Sequence, residues 1–469
     1  MFESKLISIF CSLNDDEKRK FRKYINSEFV NKNEDISFFF KFIDTRKKLN
    51  SKSITKEKAH LYLYPNTKYN DLRIRHLIWM TTEIIEAFIL HNAVEQELNL
   101  KEKILSKYYI KKGLFVYANK IIEDAFEERK NVTVKNADFY RNSYELGSAY
   151  YDINSRNNRT EDFRINESVR SLTAYTIIEV LKSACAINTI QKVMEIDTQQ
   201  YLLQPILDML PGSVFLELPI VRIYYNTYLV AANEDENAFE LFVNDIKQNE
   251  NLFSIQDLNG LYRTAINFCI KKSNQNLKYY TQRTFELYLY TIENGILIEN
   301  NEINRFIFTN TITLGIKLED FNKAESFMKK YSNYVNTEFR KNTIDYNNAK
   351  ILYAKQQLDK ALEILLTNEF KDTIWNLNAK LIISKIYFET RDMKAFHLQL
   401  KAFKIYIKRK SNIGYHKTYF TNVTDALTKL FEIYKKPEKY KDFEFDSTIP
   451  DIDWFNKMLE TLKTKKTPI

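Results

Sequence analysis

Seven glycines and seven prolines in 469 residues leave this chain few ways to turn sharply. Tight β-hairpins depend on residues that accept positive φ, and Asn-Gly or Asp-Gly is their strongest short-range sign. Only Asn259-Gly260 and Asn294-Gly295 offer it. Loops that cradle phosphates need clustered glycine, because only glycine lets the backbone approach closely. Here the glycines stand singly. Helices need little of either residue. With 44% hydrophobic and 28% charged residues the composition is that of a folding chain, and its length calls for several domains or an extended repeat array. The expected class is all-α.

Local signals fill in that expectation. Leu6, Ile9, Phe10 and Leu13 keep one apolar face, followed by Phe21, Tyr24, Ile25 and Phe29, then Phe38, Phe39, Phe42 and Ile43. Asn14 precedes Asp15-Asp16-Glu17, which is the spacing of a capping box. Thr55 starts a short helix that Tyr64-Pro65-Asn66 ends, and Asn70 starts a longer one with Ile74, Leu77, Ile78, Ile84, Ile85 and Phe88 on its buried side. Helix, turn and helix over 54–92 outline a helix-turn-helix, with a long connection. Residues 1–95 are expected to form a small helical N-terminal domain.

Farther on the pattern repeats. Leu105-Ser106-x-x-Tyr109 is followed by Gly113 and by Ala118-x-x-x-Ile122. Leu229, Ala238 and Phe242 keep similar spacings, as do Phe321, Ala324 and Met328. Ala349-x-x-Leu352 precedes Ala361-x-x-x-Leu365, and Ser384-x-x-Tyr387 precedes Phe396-x-x-x-Leu400. Small residues at such positions let paired helices cross closely while larger ones fill the space between pairs. Ala324, Ala361 and Phe396 recur at intervals of 37 and 35 residues. In these motifs the chain resembles the tetratricopeptide repeat, whose period is about 34 residues. Glu102 and Lys130 stand where that family has its Trp and Pro. The resemblance implies an α-solenoid of helical hairpins, with an irregular array over 96–225, a second array over 226–405, and capping helices with a tail over 406–469. Pro205, Pro211-Gly212 and Pro219 suggest a break between the arrays.

No constellation for chemistry emerges. Cys11, Cys185 and Cys269 lie far apart, and His60, His76, His91, His397 and His416 show no metal-ligand spacing. There is no GxSxG elbow or phosphate loop, and Asp451-Ile452-Asp453 lacks the glycine and distal glutamate of a calcium loop. The reading is therefore a non-enzymatic protein with no cofactor and no metal. The N-terminus has no basic lead into an apolar stretch and no run approaches 18 apolar residues, so a cytoplasmic chain without a membrane span is expected.

Two binding sites compete. Lys103, Lys107 and Lys111 recur every four residues on one face of the best repeat. The resemblance implies that such helices line a concave groove, and that Tyr346, Lys350, Tyr353, Lys385 and Phe388 face it in the later units. The expected function is a scaffold that binds a protein or peptide segment there, one of acidic character suiting the lysines. The alternative is a DNA-binding regulator using Lys68, Arg73, Arg75 and His76 at the start of the second helix of 54–92, with the solenoid as sensor. The net charge of +9 gathers toward the two ends and leaves the middle slightly acidic, which argues against base-by-base RNA reading along the array.

Overall fold

The computed structural model describes residues 1–46, 50, 53–96, 100–155, 164–194, 198–273, 275, 278–370, 372–410, 414, 416–440, 443–446 and 448–464. The protein is all-α, 79% helical and 1% strand, and its helices pack in neighbouring pairs. It divides into two compact units, Met1–Glu179 and Val180–Ile469, and the division falls inside one long helix rather than near residue 95 or at the prolines of 205–219. Pro205 lies in the first turn of the helix Leu203–Met209, and Pro211 lies in the turn that follows it. Pro219 is the first residue of its helix, where the missing N–H has no intrahelical partner to lose.

The first unit contains α1 (Lys5–Ser12), α2 (Asp15–Ile25), α3 (Glu34–Asp44), α4 (Lys56–Leu63), α5 (Asp71–Gln96), α6 (Leu100–Lys111), α7 (Phe115–Lys130), α8 (Ala137–Asn154) and the first half of α9 (Ile165–Met194). The capping box at Asn14 and Glu17 forms in both directions, and Thr55 and Asn70 cap α4 and α5. Phe21, Phe39 and Phe42 are fully buried among α1 to α5, each contributing roughly 1.5–3 kcal/mol of apolar burial. Two apolar assignments reverse: Phe29 is 97% exposed beyond the end of α2, and Phe40 rather than Phe38 turns inward. By length and composition α5 is long and apolar enough to cross a membrane, against expectation. Here its Ile74, Leu77, Ile85 and Phe88 pack into the core of this unit.

In the second unit α10 (Leu203–Met209) is followed by paired helices: α11 (Pro219–Asn233) with α12 (Glu236–Gln248), α13 (Ile255–Ser273) with α14 (Lys278–Glu293), α15 (Arg305–Lys317) with α16 (Phe321–Tyr331), α17 (Thr337–Ala354) with α18 (Leu358–Thr367), and α19 (Thr373–Glu389) with α20 (Met393–Arg409). Helices α21 (His416–Lys435) and α22 (Ile452–Thr464) close the unit. Strands β1 (Ile298–Glu299) and β2 (Glu302–Ile303) make a small antiparallel hairpin, with Ile298 opposite Ile303 and Glu299 opposite Glu302. Its two turn residues, Asn300 and Asn301, have φ of 51° and 61°, so asparagine replaces the glycine that such turns usually need.

Five of the turns inside helix pairs share one geometry. Gly113, Glu234, Glu319, Gln356 and Arg391 all adopt left-handed φ, and each is followed at once by the cap of the next helix. The N–H of Asp320 reaches back to Gly315 and that of Gln357 to Leu352, both at 2.9 Å. These bonds satisfy carbonyls that the helix end leaves free. The small-residue rule also holds at the crossings. Ala118, Ala238, Ala324, Ala361 and Ser384 are all buried, and a Cβ on Gly315 would stand 3.0 Å from that of Ala324. First helices pack on one another, α11 on α13, α15 on α17 and α17 on α19, while among the described residues successive second helices make no comparable contact. The face of the first helices is therefore the inner side of this array.

Candidate partner-binding face

The inner face of α15, α17 and α19 collects polar and aromatic side chains in repeat register. Thr313, Lys350 and Lys385 lie 37 and 35 residues apart, the same intervals as Ala324, Ala361 and Phe396. All three occupy the position just after the residue that packs at the helix crossing.

At α19 this face is already filled. Lys385 is 8% exposed, and its ammonium pairs with Asp451 at 2.9 Å. The same ammonium lies 5.0 Å from the Trp454 ring, which packs edge-on against Phe388 at 6.0 Å. Glu389 accepts from the Trp454 indole N–H and from the Tyr353 hydroxyl, both at 2.6 Å. Burial and this carboxylate raise the Tyr353 phenol well above its ordinary range, so it stays a donor. Asp451 itself sits at φ 57° and opens α22, placing Trp454 on the first turn. Phe455, fully buried, anchors that helix in a core shared with Phe388, Phe403 and Phe420.

This arrangement corrects part of the groove expectation. Tyr346 stacks on Trp375 with centroids 5.2 Å apart and is buried, and Phe388 is buried beneath Trp454. Neither offers surface to a partner, because core packing and the C-terminal segment cover them. Lys385 is spent on Asp451, and Tyr353 on Glu389.

The same position on α17 is held by Lys350. Lys350 is half-buried, donates to the Thr313 hydroxyl, and lies 5.4 Å from the Tyr346 ring. Among the described residues it has no carboxylate partner. Lys317, one turn beyond Thr313 on α15, adds a second positive charge and has no acidic partner among those residues either. Burial, reinforced by Lys317, pulls the Lys350 ammonium from its ordinary 10.5 down to about 8.

The other candidate residues fare differently. Lys103 pairs with Glu145 across a narrow crevice lined by Ser106, Asn142 and Leu146, which leaves Lys107 and Lys111 exposed on α6. In the 54–92 unit Arg73 bonds Asp35 at 3.1 Å and stacks 3.6 Å over Tyr64, and Arg75 pairs with Asp71 at 2.6 Å. Lys68 is exposed and His76 stacks on the exposed Trp79. Each arginine thus has a carboxylate partner in its own unit, while its side chain stays half or more exposed. Burial raises the thiols of Cys185 and Cys269 to about 12, and among the described residues no group of His, Cys, Asp and Glu is placed to hold a metal ion.

Thr313, Lys317, Glu389, Asp451 and Trp454 were not evident as site residues from spacing alone. The repeat interval does contain Thr313, but Asp451 and Trp454 lie outside any repeat, in the stretch expected to hold capping helices and a tail. No family model, curated protein or solved structure matches the chain. The face is therefore read from its own geometry.

Proposed function

We propose that this is a non-enzymatic binding protein whose second unit, similar to tetratricopeptide-repeat proteins, holds a segment of a partner protein along the inner face of its first helices. The observation that carries this reading is the chain's own C-terminal segment, which places Asp451 and Trp454 on Lys385, Phe388 and Glu389. The face accommodates a peptide supplied in cis at α19, and in this reading the adjoining stretch at α15 and α17 takes one supplied in trans. Lys107 and Lys111 on α6 are a separate exposed basic pair that an acidic partner could also engage.

A random peptide display library selected on the full chain tests the reading. Selected peptides are expected to bind wild type and the outer-face variant Lys360→Glu alike, and to lose binding to Thr313→Trp, whose ring would fill the inner face. If no selected peptide shows that dependence, the reading falls. The DNA-binding alternative has less support, since Arg73 and Arg75 are engaged internally. In a mobility-shift assay at low salt no retarded band is expected, and a band that weakens steeply with salt would favour that alternative.

A further inference from the structure

Lys350 and Lys385 hold the same place in consecutive first helices, yet among the described residues only Lys385 has an anion. At Lys385 the chain supplies a carboxylate from Asp451 and an indole three residues on. At Lys350 it supplies a hydroxyl from Thr313, the face of Tyr346, and a second cation, Lys317. A lysine drawn out of water beside another lysine destabilises the fold unless something negative joins it. A half-buried lysine with a perturbed charge is a candidate for binding, because such groups cluster at functional sites. We propose that Lys350, with Lys317 and Thr313, is an anion site that takes an acidic side chain of a partner peptide, as Lys385 takes Asp451. The ligand class is an acidic, aromatic-bearing peptide segment that continues along the inner face from where the C-terminal segment ends. This inference rests on the groove-binding function proposed above.

The site can be tested on the full chain with a fluorescent, end-blocked peptide of the sequence Asp-Ile-Asp-Trp-Phe, which reproduces the segment that occupies Lys385. The control peptide carries Asn in place of both Asp. The acidic peptide is expected to bind wild type and Lys350→Arg, to bind Lys350→Gln about tenfold more weakly through loss of a charge-assisted bond, and to be unaffected by Lys360→Gln. It should also slow acetylation of Lys350 by acetic anhydride, read by mass spectrometry, and leave Lys360 labelling unchanged. Equal binding to Lys350→Gln, equal binding of the Asn peptide, or an unprotected Lys350 would overturn the anion site. The groove function would survive each of these if the Thr313→Trp dependence of selected peptides holds. Absence of saturable binding by the acidic peptide also overturns the site. Protection of Lys350 by inorganic phosphate as effective as that by the peptide would reassign it to a small anion.

Discussion

Lys385 and Lys350 pose the same physical problem one repeat apart, and the chain answers it in two ways. At Lys385 a carboxylate and an indole arrive from α22, so the ammonium is neutralised and the aromatic layer is sealed by Trp454. At Lys350, among the described residues, the ammonium meets a neutral hydroxyl and a ring face but no carboxylate. Backbone architecture, helix register and neighbouring small residues are alike at the two places. What differs is whether the anion belongs to the chain. An array of this kind can therefore be self-complementary at its end and unsatisfied one repeat earlier, and stability and binding draw on the same residue type.

The largest expected effect comes from making the satisfied place resemble the open one. Asp451→Asn keeps the shape of the segment but leaves the buried Lys385 without its counter-charge. Breaking a fully buried pair costs about 3–5 kcal/mol. Because Asp451 is 43% exposed, a loss of about 2 kcal/mol is expected, measured by denaturant unfolding at pH 7. A variant as stable as wild type would mean that Lys385 does not depend on Asp451.

The opposite sign is expected at the open place. Lys350→Met removes a charge that the fold disfavours and keeps the apolar stem. The folded ammonium titrates at about 8 and the unfolded one near its ordinary 10.5. The cost is thus fully present below pH 8 and disappears as pH rises from 8 to 10.5. With partial solvent access taken into account, the variant should gain about 1–2 kcal/mol at pH 7. That gain should shrink to nothing by about pH 10.5, which a series of unfolding curves on both proteins would reveal. A pH-independent difference would show that packing, not charge, separates them.

How far the sequence disclosed this contrast depends on the range of each contact. The scarcity of glycine and proline, the caps at Asn14, Thr55 and Asn70, and the small residues at Ala118, Ala324 and Ala361 are all local signals, and each appears where its spacing places it. The scarcity of glycine misled in one respect. Turns with positive φ are present, but Glu234, Glu319, Gln356 and Arg391 occupy them, tolerating a strain of roughly 1–2 kcal/mol each that the surrounding helix packing offsets. The candidate face was legible as a row of positions but not as a set of partners. Repeat register brings Lys350 and Lys385 to one side of the array, yet their fates depend on Asp451, which lies 66 residues beyond Lys385. Asp35, the partner of Arg73, likewise lies 38 residues before it. Short-range periodicity carries no information about contacts at that separation.

The smallest expected effect isolates the hydrogen bond between Lys350 and Thr313. Thr313→Val is close in shape to wild type and removes the hydroxyl that accepts from the ammonium. A hydrogen bond to a charged group contributes about 1.5–3 kcal/mol when well enclosed, and this half-open one should contribute about 1 kcal/mol at pH 7. The same substitution in a Lys350→Met background should be nearly neutral, since the hydroxyl then has no ammonium to receive. The difference between the two backgrounds is the coupling energy of the pair, and neighbours in contact are where such terms are measurable. A coupling near zero would place the ammonium in solvent rather than on Thr313, and Lys350 would then be an ordinary exposed lysine. A coupling of the expected size, vanishing above the pH at which Lys350 loses its proton, would fix the charge on the inner face where an incoming carboxylate can replace the hydroxyl as its principal partner.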